Sequence, residues 1–247
     1  TTCLPADLAG SLDTWFSETD PADMAQRLLE WEVREATGAE HEIALEATGP
    51  SLVLAPSPAA RRNRGVYFTP MRLVENLVER ALAPWNDDPR GLSRVTILDL
   101  ACGDGRFLIA AARWIWSRLE QSGVPDPAIR RRVIDNSLFG IDLDPLSICL
   151  ARHAVWHAAE LPTSPPEGLV NHLVTADALL DCPFPRDDVD RFDLVIGNPP
   201  FGSFSGRQAV AINPDLKQRY LARWGGDTWD TLHGMFVRRG LELARHS

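Results

Sequence analysis

Apolar and polar positions divide the chain into two regimes. Within residues 8–38, Met24, Leu28, Leu29 and Trp31 recur at near-helical spacing and predict helix. Residues 49–64, GPSLVLAPSPAARRNR, are rich in proline and small residues and predict a linker or surface loop. From residue 65 the pattern becomes an alternation. FTPMRLVENLVERAL carries a periodic apolar face, with Thr69 as candidate N-cap and Pro70 at the first helical position. VTILDLA (95–101), SLFGID (137–142), HLVTAD (172–177) and RFDLVIG (191–197) are short apolar runs that predict buried strands. Helices are predicted between them over 106–120 and 145–160.

Strands alternating with helices imply βαβ units and a parallel α/β sheet, a Rossmann-like fold. Two units are expected: an N-terminal helical segment and linker over 1–64, and an α/β domain over 65–247. Sheets of this kind bind ligands beyond the carboxyl ends of their strands. The polar signatures Asp99 to Gly105, Asp142, Asp177 and Asn198 all fall at predicted strand ends. Packing alone does not call for four strands to deliver polar groups to one edge.

Composition narrows the class. The chain has 247 residues, 45% of them hydrophobic and 24% charged, as expected of a protein with a substantial core. No long uncharged apolar run predicts a membrane span, and the N-terminal residues lack the pattern of a signal peptide, so a cytoplasmic location is expected. Cys3, Cys102, Cys149 and Cys182 are widely spaced, with no C-x-x-C pair, which predicts reduced thiols and no metal site. The net charge of −9 is unlike a uniformly basic nucleic-acid binder. Local positive charge gathers at Arg61, Arg62 and Arg64, and again at Arg130, Arg131 and Arg132. Each group reads either as a phosphate contact or as a solvated face.

The loop DLACGDG (99–105) lies between a strand and a helix, where Gly103 and Gly105 permit a tight turn and close approach to a ligand. The dinucleotide pattern G-x-G-x-x-G fails at Leu108, so a pyrophosphate cradle is disfavoured, and Asp99 suits a cationic ligand better. A carboxylate at Asp142 can accept hydrogen bonds from the two hydroxyls of a ribose. Asp144 is the better candidate to cap the helix beginning at Pro145. Asp177 reads either as an acceptor for an adenine amino group or as a turn or helix-cap residue.

These residues resemble the class I S-adenosylmethionine-dependent methyltransferases, and more narrowly the N6-adenine DNA methylases of restriction-modification systems. Tyr67-Phe68-Thr69-Pro70 matches that family's F/Y-T-P segment, Asp99 to Gly105 its D-x-A-C-G-x-G loop, and Gly140-Ile141-Asp142 its G-x-D strand end. The resemblance covers roughly residues 65–245. It implies S-adenosylmethionine as cofactor. Tyr67 and Thr69 would lie at its methionine end, with Asp99, Ala101, Gly103 and Gly105 along the methionine and sulfonium. Asp142 would hold the ribose and Asp177 the adenine. Asp104 and Arg106 depart from the small residues common in the family's loop, and either pair with one another or alter the pocket.

Asn198-Pro199-Pro200-Phe201 is the most specific signal. An amine conjugated with a ring is a poor nucleophile because its lone pair is delocalised. Acceptors on its N–H groups favour tetrahedral character and in-line attack. Asn198 offers a side-chain carbonyl and Pro199 a backbone carbonyl, while the prolines stiffen the loop and hold these acceptors in place. Phe201 can stack on a base. An Asn-Pro turn is the alternative, disfavoured by the preceding F-D-L-V-I-G and the upstream glycine loop. By the resemblance, the substrate is DNA with its target adenine flipped out. A specificity or restriction subunit or domain is an implied partner. Rival readings are methylation of a guanine amino group in ribosomal RNA or of a protein glutamine, and a non-catalytic subunit of the same fold.

Other features carry less. His153 and His157 have metal-compatible spacing but no third ligand, so they read as packing or surface residues. In GGDTWDTLHGMF (225–236), Asp230 and His233 are candidates to touch cofactor or DNA. Class I sheets usually carry more strands than the four counted here. A fifth is expected to start near Arg245, and without it the fourth would leave a bare hydrophobic edge, to be covered by further chain or by a partner.

Overall fold

The computed structural model describes residues 31–35, 43–45, 52–56, 69–122, 128–161, 167–181, 183–184, 191–201, 212–225 and 231–245. The first three segments are strands β1 (Trp31–Glu35), β2 (Ile43–Leu45) and β3 (Leu52–Pro56). They form an antiparallel sheet in the order β1-β3-β2, with Trp31 opposite Pro56 and Ile43 opposite Leu54. This corrects two expectations, since helix was predicted through Trp31–Glu35 and a loop over Leu52–Pro56. The remainder of 8–38 lies outside the described residues. Trp31 and Val33 stand two apart, a strand spacing that the run from Met24 masked, and the pairing partner is some twenty residues away along the chain.

Helix α1 (Met71–Leu82) follows, one residue later than predicted. Pro70 is its N-cap, its carbonyl accepting from the Leu73 and Val74 amides, so Thr69 stands outside the helix. A short 3-10 turn (Ala83–Trp85) and α2 (Pro89–Leu92) lead to β4 (Ile97–Asp99) and α3 (Arg106–Gln121). Next come α4 (Ile129–Ser137), β5 (Leu138–Asp142), α5 (Pro145–Ala158), α6 (Glu167–His172) and β6 (Leu173–Thr175). The described chain closes with β7 (Leu194–Val195), α7 (Pro214–Trp224) and α8 (Leu232–Leu243). As expected, Asp144 caps α5, accepting from Leu146 N at 3.1 Å and Ser147 Oγ at 3.0 Å.

Strands β4 to β7 form one parallel sheet in the order β6-β5-β4-β7. Alternate residues face opposite layers. Ile97, Leu138 and Leu173 join a core with α1, α3, α4 and α5. Leu98, Phe139 and Ile141 join a second core with Tyr220, Trp224, Met235 and Leu243 of α7 and α8. Each fully buried aliphatic side chain contributes about 1.5–3 kcal/mol. β7 is the edge strand of this sheet, and just before it the chain is paired at one residue. Phe192 N donates to Leu243 O at 2.8 Å and Arg245 N to Phe192 O at 2.7 Å, a parallel bridge where the next strand was expected to begin.

The Arg130–Arg132 group lies on α4. Arg130 bonds Glu160 and lies 3.6 Å from Glu120, and Arg131 pairs with Asp135 at 3.3 Å. It is a solvated helix face laced with ion pairs. Arg61, Arg62 and Arg64 lie outside the described residues. His153 and His157 pack with Trp156, their ring centroids 4.8 Å apart, and no group of three metal-binding side chains occurs among the described residues. No described helix is long and apolar enough to cross a membrane.

Candidate functional site

The strand order reverses at β4: β5 and β6 extend the sheet on one side and β7 on the other. The crevice beyond the carboxyl ends of β4 and β7 is therefore the switch point where ligands bind in sheets of this kind. Asp99 closes β4 there, only 1% exposed, with Oδ1 accepting the Ala101 amide at 3.0 Å. Burial pushes its carboxyl up to about 7, against the Ala101 hydrogen bond and helped by the charges of Asp142 and Asp104.

From Asp99 the loop crosses to β5. Cys102 N donates to Ile141 O at 2.9 Å, and Gly103 N to Asp142 Oδ2 at 2.8 Å. Gly103 and Gly105 have φ of +53° and +80°, a region that penalises other residues. The other Asp142 oxygen accepts the Asp144 amide at 2.9 Å. Burial raises the Asp142 carboxyl above its ordinary range, while backbone donors partly offset this. Beside it, Leu143 is 60% exposed, an apolar side chain on the same edge that the sequence reading passed over. Its signal was its place directly after the G-x-D strand end.

Asp104 and Arg106 do pair with one another. Arg106 Nε lies 3.0 Å from both Asp104 oxygens, and both residues are buried. Arg106 Nη1 also donates to Thr69 O at 2.6 Å, which ties the segment before α1 to the glycine loop. Tyr67 lies outside the described residues.

After β7 the chain enters Asn198-Pro199-Pro200-Phe201. A Cβ on Gly197 would stand 2.4 Å from Asp99 Oδ1, so only glycine permits this approach. The loop of amine acceptors thus abuts the acidic end of β4. Asn198, Pro199 and Pro200 are half-buried, and Phe201 is 62% exposed. The His233 ring lies 5.6 Å from the Phe201 ring at an angle of 39°, so this candidate from 225–236 reaches the loop. Asp230 lies outside the described residues.

Asp177 follows β6. Its Oδ1 accepts the Leu179 amide at 3.0 Å, the turn role, and its Oδ2 accepts the Tyr220 hydroxyl at 2.8 Å. The sequence had not singled out Tyr220. Its 43-residue separation from Asp177 hides the pairing from any local pattern.

A doubly wound parallel sheet with two acidic strand ends, a glycine loop and an Asn-Pro-Pro loop at one edge defines a Rossmann-like class I methyltransferase fold. The chain belongs to the N-6 DNA methylase family, whose model matches residues 53–223. That match begins inside the stretch assigned above to the N-terminal segment. The Type II methyltransferase M.TthHB8I of Thermus thermophilus is 27% identical over 195 residues, which cover 77% of this chain and 34% of the relative. Among solved structures, the DrdV–DNA complex is 18% identical with a TM-score of 0.53, covering 78% of this chain and 20% of that one. The Type IIL restriction-modification enzyme MmeI in complex with DNA is 19% identical with a TM-score of 0.51, covering 76% and 30%. These two are likenesses of fold, and the chain spans about a third or less of each protein named here.

Proposed function

We propose that this chain binds S-adenosylmethionine and transfers its methyl group to the N6 amino group of adenine in DNA. The carrying observation is the contact between Gly197 and Asp99, which sets the amine-acceptor loop directly against the cofactor loop. The residues fit a cationic nucleoside. Asp99 offers a buried carboxylate, the glycine loop offers backbone approach, and Asp142 offers acceptors for ribose hydroxyls. Leu143 offers an exposed apolar surface for the flat base. Asp177 keeps acceptor capacity for the adenine amino group, because its two bonds occupy only part of the lone pairs of a carboxylate. Thr69 and Tyr67 would stand at the methionine end.

Bound there, S-adenosylmethionine supplies a methyl group activated by its sulfonium. The protein's part is positioning and electrostatics. Asn198 Oδ1 and the Pro199 carbonyl would accept from the target amine, which localises its lone pair for the new N–C bond as the methyl–sulfur bond breaks, and the displaced proton passes to solvent. Phe201 offers its exposed face to a flipped base. Membership of the N-6 DNA methylase family supports DNA as substrate, and a recognition or restriction domain or subunit is the partner this reading implies.

In the full chain, Asn198→Ala is expected to lower methyl transfer about 100-fold or more while leaving the affinity for S-adenosylhomocysteine within about twofold. Transfer at the wild-type rate in that variant would remove Asn198 from the mechanism.

A further inference from the structure

Segment 177–181 carries Asp177 away from β6, and three side chains of α7 and α8 hold it. Trp224 Nε1 donates to Leu179 O at 2.8 Å, Arg239 Nε to Ala178 O at 3.0 Å, and Tyr220 Oη to Asp177 Oδ2 at 2.8 Å. Two of these bonds clamp backbone carbonyls. Only the Tyr220 bond, of the three, reaches a side chain of the proposed cofactor site.

That bond fixes an angle as well as a position. A carboxylate rotates easily about its last torsion. With Leu179 N on Oδ1 alone, the Asp177 carboxylate would be anchored at one point. Tyr220 adds a second anchor on Oδ2 and so sets the carboxylate plane. Tyr220 is 3% exposed and sits on α7, which follows the Asn-Pro-Pro-Phe loop in the chain. Burial, reinforced by the Asp177 carboxylate, holds its hydroxyl well above the ordinary phenol range, so the hydroxyl remains a donor.

We propose that Tyr220 is a positioning residue that aims the Asp177 carboxylate at the 6-amino group of the cofactor's adenine, and that it thereby sets selectivity for an adenosyl over an inosyl cofactor. This rests on the reading of Asp177 as the adenine acceptor. A 6-oxo group in place of the 6-amino group meets the carboxylate with a lone pair instead of an N–H. The better the carboxylate is aimed, the larger the discrimination.

The test is titration calorimetry on the full chain with S-adenosylhomocysteine and S-inosylhomocysteine. Wild type, Tyr220→Phe and Trp224→Phe are compared. Phenylalanine at 220 keeps the buried ring and deletes only the hydroxyl, and Trp224→Phe reports what loosening the same segment does by itself. Wild type is expected to prefer the adenosyl compound at least tenfold. Tyr220→Phe should shrink that preference about 3- to 10-fold, chiefly through weaker adenosyl binding, while Trp224→Phe leaves the ratio within twofold. An unchanged ratio in Tyr220→Phe, or equal losses for both compounds, overturns the role of Tyr220 alone. So does an equal loss of preference in Trp224→Phe. Wild type that binds neither compound, or binds both equally, overturns the Asp177 reading as well.

Discussion

At the residue scale the site turns on two positions at the end of β4 and the exit of β7. Asp99 is held near pH 7 by burial, so it is largely protonated at pH 5 and ionised at pH 8.5. A cationic cofactor favours the ionised form, and its affinity should rise as pH increases through about 7. Titration of S-adenosylmethionine, which carries the sulfonium charge, between those pH values checks this. The same shift has the opposite consequence for stability without ligand. Asp99 keeps its proton in the folded state while the unfolded chain has lost it, so stability falls as pH rises from about 4 to about 7. Asp99→Asn should therefore raise the melting temperature at pH 8 and leave it nearly unchanged at pH 4, as scanning calorimetry would show. Gly197 has no such latitude. In Gly197→Ala the new methyl meets Asp99 Oδ1, and a loss of about 1–3 kcal/mol is expected, read by urea unfolding, with methyl transfer falling further than cofactor affinity.

At the element scale, legibility tracked locality. β4, β5, β6 and β7 and the helices after β4 and β5 were readable because each is a short apolar run or a periodic face bounded by its own capping chemistry. Asp144 before Pro145 is the clearest case, and Asp144→Ala should cost about 1 kcal/mol in chemical denaturation. β1 and β3 were misread because their stability comes from pairing Glu35 with Leu52 and Trp31 with Pro56, a relation no window of neighbours contains. α4 was visible only as a run of arginines, because it is nine residues long and its buried face holds just three apolar side chains, Ile129, Val133 and Ile134. The Tyr220–Asp177 bond was hidden for the same reason as β1, and the Asp104–Arg106 pair was open to reading because its partners stand two apart.

On the scale of the whole molecule, the order β6-β5-β4-β7 gathers at one edge what the sequence scatters over more than a hundred residues, from Asp99 to Phe201. The acidic strand ends and the Asn-Pro-Pro-Phe loop were legible as motifs. Their adjacency, through Gly197 and Asp99, came from topology. The net charge of −9 calls for local positive charge where a polyanion approaches, and on α4 both Arg130 and Arg131 are already engaged in ion pairs, with Glu160, Glu120 and Asp135.

The central claim is methyl transfer to an adenine amino group, and the identity of the labelled product tests it most directly. The full chain would be incubated with tritiated S-adenosylmethionine and, separately, unmethylated genomic DNA, ribosomal RNA and a release factor, each product then digested to nucleosides or amino acids. Label is predicted in N6-methyladenine from DNA, and about 100-fold less of it or lower with Asn198→Ala. Label in methylguanine from RNA or in methylglutamine from protein would contradict the account of the substrate. No label in any of the three, with cofactor bound, would contradict the account of the chemistry.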